Sequence, residues 1–117
     1  MIRSYQEPAY YVTEFTLNPG EEKEIVNTTF ELSHYIFDVC VSVDANVLIT
    51  VKMQFNGATL LHLSGYQRIH YKFTASFPVS TLKVTVKNWS STVTVNGAYA
   101  HHGLYGEEKI SPLVYTV

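Results

Sequence analysis

The sequence has little charge, a single cysteine and no long apolar run. Charged side chains make up 15% of its 117 residues, well below the roughly 25% of an average soluble protein. With Cys40 alone, no intrachain disulfide can form. No surrounding motif indicates an activated thiolate, so we expect Cys40 to be a buried or half-buried small hydrophobe. No stretch approaches the roughly 20 apolar residues that cross a bilayer, and we expect no membrane span.

The first eight residues lack the basic segment and apolar core that mark a signal peptide. We therefore expect no ordinary secretion signal. The compartment stays open at this point, and a virus particle and an extracellular surface are the two locations under consideration.

Helix-forming residues are also scarce, whereas residues typical of strands are abundant. The chain carries nine Tyr and six Phe, with Val and Thr throughout, and such side chains suit a pleated, half-buried surface. A hydrophobic fraction of 46% is ample for a packed interior. A chain of 117 residues has room for one core but not for two. We predict a single domain over residues 1–117.

Apolar side chains recur at every second position through most of the chain. A period of two is what a strand with one buried and one wet face requires. The residues predicted to point inward are Tyr35, Phe37, Val39, Val41, Val43, Val47, Ile49, Val51, Met53, Phe55, Ile69, Tyr71, Phe73, Ala75, Leu82, Val84, Val86, Val93 and Val95.

Turn signals separate the predicted strands. Asn56-Gly57 tolerates positive φ at both positions and predicts a two-residue hairpin. We expect residues 88–91 to close a hairpin between strands near 82–87 and 93–95, and a crossover between sheets to lie within residues 28–35. The other predicted turns are Asn18-Pro19-Gly20, Asp44-Ala45-Asn46 and Ser64-Gly65-Tyr66.

About eight or nine short strands at such spacing predict an all-β protein with a single antiparallel β-sandwich. Strand order stays undetermined, so jelly-roll and immunoglobulin-like topologies both remain open. The glycines and the proline that follow Tyr99 predict an irregular C-terminal arm over about residues 100–117. Within that arm, residues 113–117 form a candidate edge strand.

Charge is unevenly distributed along the chain. Residues 1–44 hold eight acids and two cations, whereas residues 45–106 contain no Asp or Glu. If the strands of the second segment share one sheet, their outward cations form a basic stripe without local acids. Together with Trp89, these cations are the candidate interaction surface: Lys52, Arg68, Lys72, Lys83 and Lys87.

Three explanations of this charge pattern remain. In the first, N-terminal acids such as Glu31 or Asp38 lie beside the cations within one molecule and stabilise it modestly. In the second, the acidic end of one copy meets the basic face of the next, a heterologous contact that builds rings or lattices. In the third, the stripe binds nucleic acid or an acidic glycan. Five cations on a chain of net charge −2 give nucleic acid little support.

No motif points to a metal, a cofactor or catalysis. His62 and His70 flank one predicted turn and are candidate cross-strand neighbours, but no acids lie near them, and no metal-ligand spacing occurs. A nucleophile elbow, a phosphate-binding glycine loop and a dinucleotide glycine motif are all missing. We expect no metal, no cofactor and no enzymatic activity.

Trp89, the one tryptophan, lies in a predicted turn. An aromatic ring at a loop tip can stack on a sugar or a partner protein. It can also fold back over the end of the sandwich, and we favour this second arrangement. Two segments match the glycosylation acceptor pattern, Asn27-Thr28-Thr29 and Asn88-Trp89-Ser90. Further tyrosines predicted to extend a contact surface are Tyr10, Tyr11, Tyr99 and Tyr105.

The composition, together with the missing export signal, favours a protein that becomes external by assembly. Small β-sandwiches and jelly rolls are common in virus particles. The favoured hypothesis is a non-enzymatic structural or interaction protein that associates with itself or with another structural protein, as a capsid, decoration or spike component of a virion. The alternative is a carbohydrate-binding module that uses Trp89 and exposed tyrosines.

Overall fold

The computed structural model describes the backbone of residues 7–30, 33–77 and 80–106. These residues form eight β-strands, and no helix long and apolar enough to span a membrane occurs among them. The alternation of apolar and polar side chains therefore sets the secondary structure, as predicted. The strands are β1 (Glu7–Leu17), β2 (Glu22–Phe30), β3 (Ser33–Val43), β4 (Leu48–Phe55), β5 (Ala58–Tyr66), β6 (Arg68–Phe77), β7 (Ser80–Asn88) and β8 (Val95–Gly106).

The strands form two four-stranded antiparallel sheets that pack face to face, which confirms the predicted β-sandwich. Sheet A has the order β1-β8-β3-β6, and sheet B has the order β2-β7-β4-β5. The first strand pairs with the last, the second with the seventh, the third with the sixth and the fourth with the fifth. This nested pairing is the topology of an eight-stranded jelly roll.

Because of the nested pairing, consecutive strands change sheet at every connection except the one between β4 and β5. That connection is the predicted hairpin at Asn56-Gly57, whose φ angles of 51° and 84° fit a type I′ turn. The crossover expected within residues 28–35 is also confirmed, since β2 and β3 lie in different sheets.

Two of the predicted turns have a different structure. Ser64, Gly65 and Tyr66 belong to β5, and the chain passes to sheet A at Gln67, whose φ is 65°. Residues 88–91 do not close a hairpin, because β7 lies in sheet B and β8 lies in sheet A. Local sequence indicates a break at both places, but pairing with distant strands decides which sheet the chain enters next.

The irregular arm predicted from about residue 100 is wrong in its first part. Residues 95–106 form β8, which pairs with both β1 and β3 in the interior of sheet A. Glycine within this segment indicated an irregular loop, yet a strand accepts glycine where a neighbouring backbone approaches closely. Residues 107–117, including the candidate edge strand, lie outside the described residues.

Alternate residues of the two sheets meet in one hydrophobic core. Val39, Val51 and Val84 are fully buried in it, as predicted, whereas the side chain of Phe73 is outside the described part. Two predicted inward residues are exposed: Tyr71 lies on the edge strand β6, and Val93 precedes β8 in the crossover. The buried core comprises Phe15, Leu17, Val26, Val39, Val41, Val43, Val47, Ile49, Val51, Met53, Phe55, Ile69, Leu82, Val84, Val86, Val95 and Tyr99.

At Gly97 the backbone of β8 packs closely against the side chains of Phe15 and Val43 and against the backbone of β3. A methyl group added at this position would lie 2.7 Å from Phe15 Cζ and 2.8 Å from Val43 Cγ1, and closer still to the backbone oxygen of Ser42. All three distances are shorter than van der Waals contact. Because Gly97 has no side chain, the side chains of Phe15 and Val43 can pack directly against the backbone of β8.

We expect Gly97→Ala to lower the free energy of unfolding by about 1–3 kcal/mol, because an extra methyl group in a packed interior displaces backbone and side chains. Ala98→Val is the matched control, since Ala98 is half-buried on the outward face of the same strand and should change stability by less than about 0.5 kcal/mol. Urea denaturation of both variants measures the difference. Wild-type stability of the Gly97→Ala variant would contradict this account of the packing.

Candidate functional site

The two sheets divide the five candidate cations between opposite sides of the sandwich. Lys52 on β4, with Lys83 and Lys87 on β7, lies on the outer face of sheet B. Arg68 and Lys72 lie on the outer face of sheet A, because β6 pairs with β3 and not with β5. The single basic stripe expected from strands of one shared sheet is therefore not formed.

Acids from the N-terminal strands lie beside two of these cations, as the first explanation predicts. Asp38 is the cross-strand partner of Lys72, and Glu22 is the cross-strand partner of Lys87. In the described part of the chain, neither pair brings its charged atoms within 4.0 Å. Exposed pairs of this kind contribute from 0 to about 1 kcal/mol, so these charges add little to the stability of the fold.

Trp89 folds back onto the outer face of sheet B and not over the end of the sandwich. Its backbone N–H donates to the Leu48 carbonyl at 3.0 Å, and its indole Nε1 donates to Thr50 Oγ1 at 3.1 Å. The Lys87 ammonium lies 3.8 Å from the ring centroid, which is a cation–π contact. The side chain is still 51% exposed, so it forms part of a surface that a partner could contact.

This arrangement gives the carbohydrate hypothesis no support. A sugar binds an aromatic side chain by stacking on a free ring face, whereas the Lys87 ammonium occupies one face of the indole and Thr50 accepts its N–H. Tyr66 on the edge strand β5 is 66% exposed. No ring contact joins Tyr66 to Trp89 among the described side chains, so the two do not form one platform.

Residues with metal-binding side chains form two cross-strand pairs on the outer face of sheet A, in which His70 lies opposite Cys40 and His102 lies opposite Asp38. His62 is on β5 in sheet B and His70 is on β6 in sheet A, so they are not the cross-strand neighbours considered above. His101 is buried, while His102 is exposed on the other face of β8. Cys40 is half-buried on β3, as expected. Within the described residues, no group of three or more His, Cys, Asp or Glu side chains could hold a metal ion.

The inner face of sheet A carries a buried aromatic cluster that the sequence analysis missed. Tyr99 and His101 are both buried, and the Tyr99 hydroxyl and His101 Nδ1 share a hydrogen bond of 2.9 Å. The Tyr11 ring stacks on the imidazole with centroids 5.6 Å apart. Burial, with a smaller contribution from Tyr11, raises the pKa of the Tyr99 hydroxyl well above its ordinary value. The signal for this cluster is the period of two that continues from Val95 through Tyr99 to His101.

Asn88 joins the connections at one end of the sandwich. Its side chain is fully buried, and its amide nitrogen donates to the carbonyl oxygens of Leu17, Asn18 and Val93 at 3.3, 3.2 and 2.7 Å. Its side-chain oxygen accepts the N–H of Ser90 at 2.9 Å. Since every polar atom of this amide is engaged within the fold, the acceptor pattern at residues 88–90 is not a glycosylation site in the folded chain.

Comparison with known proteins gives structural neighbours but no sequence relatives. No family model matches the chain, and no curated protein matches it. The VP2 subviral particle of infectious bursal disease virus is similar over 86% of this chain and 33% of its own, with 9% identity and a TM-score of 0.53. The structure of the Gx strain of the same virus is similar over 90% and 32%, with 8% identity and a TM-score of 0.50.

The chain thus spans about a third of the length of these viral neighbours. At such low sequence identity the likeness establishes the fold alone. It agrees with the jelly-roll strand order read from the pairing, because that architecture occurs in viral shells.

We expect Asn88→Ala to lower the free energy of unfolding by about 1–3 kcal/mol, because it removes the side-chain donor to the Leu17 and Val93 carbonyls and the acceptor of the Ser90 N–H. Asn27→Ala is the matched control. Asn27 is exposed on β2, so its loss should cost less than about 0.5 kcal/mol. Chemical denaturation measures the free energy of unfolding of both variants. Equal losses of stability would contradict the inference that the Asn88 side chain holds the connections at this end of the sandwich together.

We expect Lys87→Ala to lower the free energy of unfolding by about 0.5–1 kcal/mol when Trp89 is present, and not in a Trp89→Ala background. Glu22 opposes Lys87 in both backgrounds, so the double-mutant cycle isolates the contact with the ring. Fluorescence of the single tryptophan should change with Lys87→Ala but not with Lys83→Ala. A coupling energy of zero would show that ammonium and ring do not interact in solution.

Proposed function

We propose that this chain is a non-enzymatic structural protein that associates with itself, or with another structural protein, as part of a virus particle. The observation that carries the proposal is the nested jelly-roll topology, which superposes on the VP2 subviral particle over 86% of the chain. Eight-stranded jelly rolls also serve as lectin domains and cupins. The choice among these uses therefore depends on what the side chains provide.

Metal chemistry and sugar binding fit the described side chains less well than assembly does. A metal site needs three or four converging ligands, and the described residues provide no such group. A sugar platform needs a free aromatic face, and the Lys87 ammonium covers one of the two faces of the Trp89 ring. Assembly into a shell requires neither a metal site nor a sugar platform. It requires surfaces that bind other protein chains.

The surface composition supports contact with protein. Interface centres are enriched in aromatic side chains and depleted of charge, and this chain is low in charge throughout, at 15%. Several large apolar or aromatic side chains are exposed on β5, on β6 and after β7: Leu60, Tyr66, Tyr71 and Trp89. A self-associating protein would bury part of this area.

Light scattering after size exclusion, over a wide range of protein and salt concentration, tests self-association, and electron microscopy of the same samples tests for regular particles. We expect oligomers that grow with concentration and close into rings or shells. A glycan array with the wild type and Trp89→Ala tests the alternative, and we expect no specific binding. A monomer under every condition would contradict self-association, and sugar binding that Trp89→Ala abolishes would favour the carbohydrate-binding alternative.

A further inference from the structure

The jelly-roll topology gives the sandwich two different lateral edges. Strands β1 and β2 end the two sheets on one side and contact each other, and β5 and β6 do the same on the other side. We call these sides the β1/β2 edge and the β5/β6 edge. Edge strands present unpaired backbone N–H and C=O groups, so each edge can add a strand of another chain unless its side chains prevent this.

The β1/β2 edge is acidic. Glu14, Glu22 and Glu24 are exposed on it, and Glu14 and Glu24 line an open groove of about 630 Å³ together with Lys23. Lys23 is turned back onto its own chain, where its Nζ donates to the Thr16 carbonyl at 2.8 Å. The described part of this edge therefore offers carboxylates to a neighbouring molecule.

The β5/β6 edge is basic. Residues 58–77 contain no Asp or Glu, and Arg68 and Lys72 are exposed on β6. Lys72 has Asp38 as its cross-strand partner, whereas the partner of Arg68 is Ser42. Arg68 is therefore the cation of this edge whose charge is not offset by an acid directly opposite within its own sheet.

Opposite charges lie at the same level on the two edges. Through the register of β8 and β3, Glu14 on β1 shares a row of sheet A with Arg68 on β6. A second copy placed alongside in the same orientation therefore brings Arg68 of one molecule opposite Glu14 of the other.

The strand directions also suit this placement. Each sheet has four antiparallel strands, so its two edge strands run in opposite directions. When a second copy keeps the same orientation, its β1 meets β6 of the first copy as an antiparallel neighbour, and its β2 meets β5 in the same way. Antiparallel neighbours at this spacing can exchange backbone hydrogen bonds, so both sheets continue across the contact.

Edge charges often have the opposite purpose, since they keep sheets from pairing edge to edge. Like charges keep two identical edges apart, so the acidic edge should not pair with the acidic edge of a second copy, nor the basic edge with the basic edge. In this chain the described edges carry opposite charges at matched levels, which favour the approach of a second copy.

We propose that the β5/β6 edge of one copy binds the β1/β2 edge of the next, with Arg68 of the first set against Glu14 of the second at the groove. This inference rests on the proposed function and names the surface and symmetry of the contact. Because two different surfaces of the same chain meet, the contact is heterologous, and repeating it produces a ring or an open array.

Charge reversal tests the pairing, with assembly of the wild type measured first. Glu14→Arg sets two arginines against each other at the contact and Arg68→Glu sets two glutamates against each other, so each single variant should lose self-association by at least about tenfold. The double variant carries both reversals on one chain and restores opposite charges across the contact, so it should assemble again. An equal mixture of the two single variants should form mixed assemblies in which the variants alternate.

The variants come with internal controls. Lys83→Glu makes the same charge change as Arg68→Glu, but on the central strand β7, and it should leave assembly unchanged. Recovery of assembly in the mixture shows that both single variants are folded. Raising ionic strength from about 0.01 M to about 1 M shortens the Debye length from about 30 Å to about 3 Å, so wild-type assembly should weaken.

The outcomes separate this inference from the proposed function. A wild type that assembles, and still assembles with either reversal, overturns the edge contact but leaves self-association intact. Single variants that fail to assemble and are not rescued by each other or by the double variant also overturn it. A wild type that stays monomeric overturns self-association and, with it, this contact.

Discussion

Each sheet must bury one apolar face against the other, and the rest of the molecule depends on this contact. Because side chains alternate along a strand, the strands that supply Val39, Val51 and Val84 to the core also determine which residues face solvent. The outward positions are then free of the demands of packing. Charges and aromatic side chains there affect what the protein binds more than whether it folds.

Much of the fold could be predicted from the sequence, because its signals are local. The period of two identifies the strands, and Asn56-Gly57 identifies the one hairpin, since two residues with positive φ suffice to specify it. Sheet membership could not be predicted, because it depends on pairing between strands far apart in the chain. For that reason residues 64–66 and 88–91 were assigned as ordinary turns, and β8 from about residue 100 onward was assigned to an irregular arm.

The outward position of each candidate cation could be predicted from the sequence. Which of the cations share a face of the sandwich could not. Each cation was correctly placed on an outward position, yet Arg68 and Lys83 lie on opposite sides of the sandwich because β6 and β7 belong to different sheets. Nested pairing places the acidic strands β1 and β2 at one edge of the sandwich and the basic strands β5 and β6 at the other. The charge pattern along the sequence therefore becomes a charge difference between two edges. The roles of Asn88 and Trp89 depend on carbonyls and hydroxyls contributed by distant strands, which no local pattern reveals.

The nested pairing also constrains when the molecule is completed. Among the described strands, β1 pairs only with β8, and β2 pairs only with β7. Contacts between residues so far apart in sequence form late, since the intervening chain must first be brought together. During synthesis, therefore, residues through Gly106 must leave the ribosome before β1 can pair with β8 and the acidic edge can form. A polypeptide without β8 lacks that edge, so it cannot join a structure that assembles through it.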